Sequence, residues 1–135
     1  MIEGDKPRQL IEAYLGAMQA SDAAAVQSMS AADALLEYPG ATRFESPAAL
    51  FRWAKERHRW VRHEIEHCDM LGTEADGVIY VTGTLAGELA GGLEFSEVRF
   101  AYRFRIRAGL ISETRLWSDI ADLLRRKALE AHGTA

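Results

Sequence analysis

The chain has 135 residues, 48% of them hydrophobic and 27% charged, and a net charge of −4 from 16 basic and 20 acidic residues. That length favours a single domain over residues 1–135, able to bury about two-thirds of the unfolded chain's surface without a disulfide or metal staple. The charge balance excludes a nucleic-acid binder's basic stripe, the lone Cys68 excludes an internal disulfide or a cysteine-based zinc site, and the apolar runs are too short to span a membrane. Met1–Pro7 carries Glu3, Asp5 and Lys6 and lacks a signal-peptide core, so a cytoplasmic location is expected.

In chain order, a first helix is predicted from Asp5, with Pro7 in its first turn where a missing N–H costs little. Leu10, Ile11, Tyr14, Leu15 and Met18 form its apolar stripe. Ser21 or Asp22 caps a short second helix over Ala23–Met29. Ala34–Tyr38 reads as a short strand closed by the Pro39–Gly40 turn. Ser46–Pro47, a cap followed by a proline, opens a third helix to about Trp60, with Leu50, Phe51 and Ala54 inward. Trp53 and Trp60 read as a lid over a cavity mouth or as a subunit contact, and packing is the commoner role.

From there the apolar period changes from helical to alternating. Val61–Leu71, Val78–Leu89, Leu93–Arg107 and Leu110–Trp117 read as strands. In the third of these, Phe100, Tyr102, Phe104 and Ile106 alternate with Arg99, Ala101, Arg103 and Arg105, as in an antiparallel sheet covered on one side. The arginine row therefore reads as a solvated or subunit-facing side. Gly72, Asp76–Gly77, Gly91–Gly92 and Ala108–Gly109 mark turns. Ser118 or Asp119 caps a last helix through about Leu129. Segregated helices and strands mean an α+β fold.

This order of elements resembles the nuclear-transport-factor-2-like superfamily, in its SnoaL-like and ketosteroid-isomerase-like branches. The resemblance spans about residues 7–125 and rests on AYLGAMQASDAAAVQSMSAADALLEYPG, FESPAALFRW and FRIRAGLISETRLWSDIADL. It implies a cystatin-like cone: three N-terminal helices on a curved, mostly antiparallel sheet, a C-terminal helix, an apolar pocket and a homodimer. Ketosteroid isomerases carry an oxyanion-binding tyrosine at the place of Tyr14. Their general-base aspartate is replaced by Tyr38 and their second donor by Tyr102. Asp119 matches an aspartate of limonene-epoxide-hydrolase-like members, whose arginine and other aspartate are replaced by Gly83 and Leu85. His63 stands where several SnoaL-like members carry a histidine.

The candidate catalytic set is Asp119, His63, Tyr14 and Tyr38. Tyr102, Phe51, Phe100, Phe104, Trp117 and Arg115 are candidate ligand-binding residues. Asp119 has two readings: a pocket acid with its pKa raised beside Trp117 and Phe104, or an ionised helix cap. Glu113, Arg115 and Trp117 share its parity and face inward unless a bulge flips the strand. His63 and His67 share a strand face but lie too far apart for one metal. No metal or cofactor is expected. The partner is a small hydrophobic ligand, ketonic or polycyclic, without nucleic acid or membrane. Three functions stay open: a cofactor-free isomerase, cyclase or dehydratase; a non-catalytic binding domain; or a homodimeric scaffold, which a cavity below about 300 Å³ would favour.

Overall fold

The computed structural model describes residues 2–133. Helices α1 (Ile2–Gln19) and α2 (Ala23–Ser28) precede strands β1 (Ser30–Tyr38) and β2 (Thr42–Phe44). Helix α3 (Pro47–Arg57), strands β3 (His58–Gly72), β4 (Asp76–Leu89), β5 (Glu94–Arg107) and β6 (Leu110–Ser118), and helix α4 (Ile120–Gly133) follow. One curved six-stranded sheet runs β2-β1-β6-β5-β4-β3. Only the β1–β6 pair is parallel. This is the expected α+β cone, with its C-terminal helix.

Local chemistry explains most boundaries. The Asp22 side chain accepts from the Ala25 N–H at 3.1 Å and caps α2. The Ser46 hydroxyl accepts from Ala49 N–H at 3.1 Å, with Pro47 opening α3. Ala108 and Gly109 both take positive φ, 50° and 76°, which suits the two-residue β5–β6 hairpin.

Other boundaries moved. Helix α1 begins at Ile2 rather than Asp5, so Pro7 lies inside it. Strand β1 starts at Ser30 rather than Ala34 because Ser30 pairs with Ile111 and the Met29 carbonyl accepts from Ile111 N–H at 2.9 Å. Strand β2 was not anticipated; three residues are too few to display a period. Helix α3 stops at Arg57 because His58 already pairs with Leu89, which puts Trp60 on a strand.

The core lies between α1 and the sheet's concave face. Ile11, Tyr14, Leu15 and Met18 pack toward Ile79, Val81, Phe100, Tyr102, Phe104 and Ile106, all buried. Burying each such side chain stabilises by about 1.5–3 kcal/mol before entropy is counted. Besides irregularities at Arg59 of β3 and between Ser30 and Leu35 of β1, three bulges set the faces of the long strands. Two residues of β5, Ser96 and Glu97, oppose Ala86 alone, and Glu97 takes φ 57°. In β3, Glu66 is the extra residue between the Ile65–Gly83 and His67–Thr82 pairs. In β6, Ser112 is extra between the Ile106–Ile111 and Arg105–Glu113 pairs, and its hydroxyl ties the bulge to the Arg105 carbonyl at 3.2 Å. Each bulge turns the rest of its strand over.

Candidate functional site

The inner wall is largely apolar, and one hydrogen-bonded row runs from it to open space. His63, on β3 before the Glu66 bulge, is half-buried, with its ring edge-on to Phe100 at 5.5 Å. Its Nε2 lies 3.1 Å from the Tyr102 hydroxyl. Its Nδ1 and its backbone N–H each lie 2.7 Å from Oε1 of Gln19, the last residue of α1. The Tyr38 hydroxyl donates to the Met18 sulfur at 3.9 Å, on the side of the row toward β1. Burial pushes His63 down to about 4, with a smaller push from His58, so the imidazole is neutral at physiological pH. Burial also raises both phenols, Tyr38 and Tyr102, so they stay protonated donors.

Tyr14 sits deeper and apart from this row. Its hydroxyl lies 2.9 Å from the Thr114 hydroxyl, and burial raises its pKa. Its ring meets Phe104 edge-on at 5.6 Å, and Phe104 stacks on Tyr102 at 4.9 Å. Tyr14, Phe100, Tyr102 and Phe104 thus fill the deep part of the cone themselves, each 4% exposed or less. Near the other end, Phe44 and Trp53 pack at 5.1 Å beside Tyr38, and half-buried Phe51 joins the rim of the core. Arg57 covers the Trp53 ring at 4.4 Å.

A hollow of about 170 Å³ opens between α1 and β3, lined by Leu15, Gly16, Gln19, His63, Ile65, Arg8 and Glu12. Arg8 and Glu12 form a loose ion pair at 3.7 Å. His63 is thus where the polar row meets open space.

Several expected site residues lie elsewhere. The Ser112 bulge turns Glu113, Arg115 and Trp117 to the sheet's outer face, and Trp117 is 52% exposed. Arg115 pairs there with Glu37 at 2.8 Å and Glu113 at 3.1 Å, not with Asp119. Asp119 lies away from the inner wall: its carboxylate takes the Arg99 Nε at 2.8 Å at the edge of an outer-face basin. Nor does its side chain cap α4; only its backbone carbonyl does, accepting from Leu123 N–H at 3.0 Å. His67, past the Glu66 bulge, is exposed on the face opposite His63. The outer face carries a shallower basin of about 370 Å³ bordered by Glu66, Thr82, Ala101, Trp117 and Asp119. Among the described residues, no three His, Cys, Asp or Glu side chains come together as a metal site.

Sequence reasoning missed Gln19 and Thr114. Gln19 continues the Ile11–Leu15 row one turn on, so a polar residue on an apolar stripe was the available signal. Thr114 was hidden by the bulge, which alone turns it inward.

The family model for the SnoaL-like domain matches residues 11–114. The chain belongs to the SnoaL-like domain family. The matched stretch holds Tyr14, Gln19, Tyr38, His63 and Tyr102, and ends before Trp117 and Asp119. Solved structures repeat this SnoaL-like fold. One is a nuclear-transport-factor-2-like protein of unknown function from Burkholderia pseudomallei, with TM-score 0.73 and 16% identity, covering 88% of this chain and 95% of that one. A second, from Catenulispora acidiphila, has a ketosteroid isomerase-like fold and was solved with trimethylamine; its TM-score is 0.66 at 18% identity, over 80% and 83% of the two chains. A third, from Sinorhizobium meliloti, is provisionally named a polyketide cyclase, with TM-score 0.62, 23% identity and coverage of 85% and 98%. At these identities the likeness is one of fold. No curated protein matches the sequence significantly.

Proposed function

We propose that this SnoaL-like domain moves a proton on a small ketone or phenol without a cofactor, with His63 as base and Tyr102 and Tyr38 as donors to the substrate oxygen. One observation carries the reading: a neutral histidine is hydrogen-bonded to the Tyr102 phenol on a largely apolar wall, and the histidine opens onto a hollow. Burying polar groups is costly, and evolution retains such rows where they fix a core or serve chemistry.

The chemistry is an exchange of partners. With the hollow empty, the Tyr102 hydroxyl donates to Nε2 of His63. A carbonyl oxygen entering between them takes that hydroxyl instead, and Tyr38 supports it. Nε2 is then free to take the hydrogen from the adjacent carbon. The 3.1 Å between base and donor suits a carbonyl oxygen and the hydrogen on its α-carbon. Enolate charge beside the ring raises the affinity of His63 for the proton, and the preorganised phenols stabilise the oxyanion. A 170 Å³ hollow matches one ring, since an engineered cavity of about 150 Å³ holds benzene. The substrate is therefore a single-ring molecule and not a polycyclic one. Asp119 and Trp117 have no part in this scheme, and Tyr14 is a support for the wall. The trimethylamine complex of the Catenulispora protein supports small-molecule binding by this fold.

A second reading, a homodimeric scaffold joined through the outer sheet face, is favoured by the filled inner wall and by an inner hollow of about 170 Å³, below the roughly 300 Å³ of an ordinary ligand site. The test is exchange of α-protons with deuterated solvent over a panel of cyclic ketones, followed by proton NMR. The protein and Asp119→Asn are expected to accelerate exchange, and His63→Ala to lose at least about tenfold. No acceleration and no ligand-induced shift of the His63 ring across the panel would leave the scaffold.

A further inference from the structure

We propose that Gln19 is a positioning residue, whose side-chain carbonyl fixes the His63 imidazole as the Nδ1–H tautomer and so keeps the Nε2 lone pair turned to Tyr102. The argument needs only donor and acceptor rules. The backbone N–H of His63 can only donate, so the Gln19 atom 2.7 Å from it must be oxygen and not the amide nitrogen. That same oxygen lies 2.7 Å from Nδ1. Two lone pairs cannot face each other at that distance, so Nδ1 carries the hydrogen. In a neutral ring Nε2 is then the acceptor, and the hydrogen on the 3.1 Å contact belongs to Tyr102.

Helix geometry holds Gln19 in place. Helix α1 ends at this residue, and the chain reverses through Ser21 at φ 54°. Asp22 N–H returns to the Ala17 carbonyl at 2.9 Å, and Ser21 N–H to that of Met18 at 3.0 Å. Gln19 also walls the hollow, so an occupant lies against the group that sets the tautomer. The proposal deepens the proton-transfer reading: a ring in the other tautomer would present N–H, not a base, to Tyr102 and the substrate.

The test reads the ring nitrogens directly. In ligand-free protein labelled with nitrogen-15 in its histidines, wild-type His63 should show a protonated Nδ1 and an unprotonated Nε2 at neutral pH. Gln19→Leu should populate the Nε2–H form. Gln19→Glu, which still accepts, should restore the Nδ1–H form and raise the His63 midpoint by about 1 unit or more. The other groups facing the ring, His58, Tyr102, and Arg8 with Glu12 across the hollow, are unchanged in all three proteins. An Nε2–H ring in the wild type overturns the proposal, as does an unaltered tautomer in well-folded Gln19→Leu. A wild type that gives the expected spectrum but no α-proton exchange removes the enzymatic reading and leaves Gln19's role standing.

Discussion

His63 and Tyr102, 39 residues apart in sequence, meet across β3 and β5 with Nε2 3.1 Å from the phenol oxygen, in surroundings whose burial disfavours a charged imidazole. Its cost appears in acid. An unfolded chain's histidine takes its proton near 6.5, whereas folded His63 does so only near 4. Between those values the unfolded state holds more protons, so stability is complete above about 6.5 and falls as pH drops toward 4. His58, lowered by burial and by Arg57, works in the same direction. Glu37 and Asp122, held low by arginines, lose their share only at more acidic pH. Denaturant melts between about pH 7 and pH 5 should show a loss of about 1–2 kcal/mol. His63→Gln should remove most of that slope, and an equal slope in both proteins would assign it elsewhere.

Tyr14 and Thr114 form a second polar pair, with neither residue exposed and the hydroxyls 2.9 Å apart. Removing one partner leaves the other buried without its bond, whereas removing both leaves an apolar contact of similar shape. Tyr14→Phe and Thr114→Val should each cost about 1–2 kcal/mol. The double variant should cost clearly less than their sum, with a coupling of about 1 kcal/mol in a double-mutant cycle. Additive losses would mean that the bond contributes nothing to stability.

The fold was legible because its main signals are local. The Ser46–Pro47 start, the Asp22 cap and the alternation of Phe100 to Ile106 each act over a few residues. The site was legible only in part, because bulges are set by partner strands. A count of two along β6 from Asp119 puts Trp117, Arg115 and Glu113 on its face, and a count of two back from Phe104 on β5 puts Val98 inward. Both counts are correct within their segments. Ser112 and Glu97 then break the phase, for reasons that lie in the neighbouring strands. His63 shares a face with Val61 and Ile65, as the count of two expects, because no bulge lies between them; His67 follows the Glu66 bulge and leaves that face.

Gly83 shows how tightly one bulge is held. A Cβ there would fall on the Glu64 carbonyl oxygen, with Glu66 N only 3.1 Å away. All of those atoms are backbone, so none can rotate aside. Gly83→Ala should therefore force β3 away from β4 just beyond His63, at a cost of about 3 kcal/mol. It should also disturb the His63 ring signals, which Gly91→Ala, with no atom within 4 Å of its Cβ, should leave alone. Wild-type melting of Gly83→Ala would mean that the bulge relaxes freely.

On the scaffold reading, a second copy of the chain would dock on the outer sheet face. Trp117 and Tyr80 stand 52% and 42% exposed on it. Between them Arg103 pairs with Glu113, and Arg115 bridges Glu113 and Glu37, so the β1–β6–β5 part of the face carries its charges as internal pairs. Such a face can be covered without stranding an ion, which removes the main penalty on burying charge. An indole that exposed is also the kind of anchor that dominates interfaces. Sedimentation at micromolar concentration should give a dimer, and Trp117→Glu should shift it to monomer while leaving the melting of the monomer within about 0.5 kcal/mol. His63→Gln, on the opposite face, should stay dimeric. A monomeric wild type, or a dimer indifferent to Trp117→Glu, would return this face to solvent and with it remove the scaffold reading.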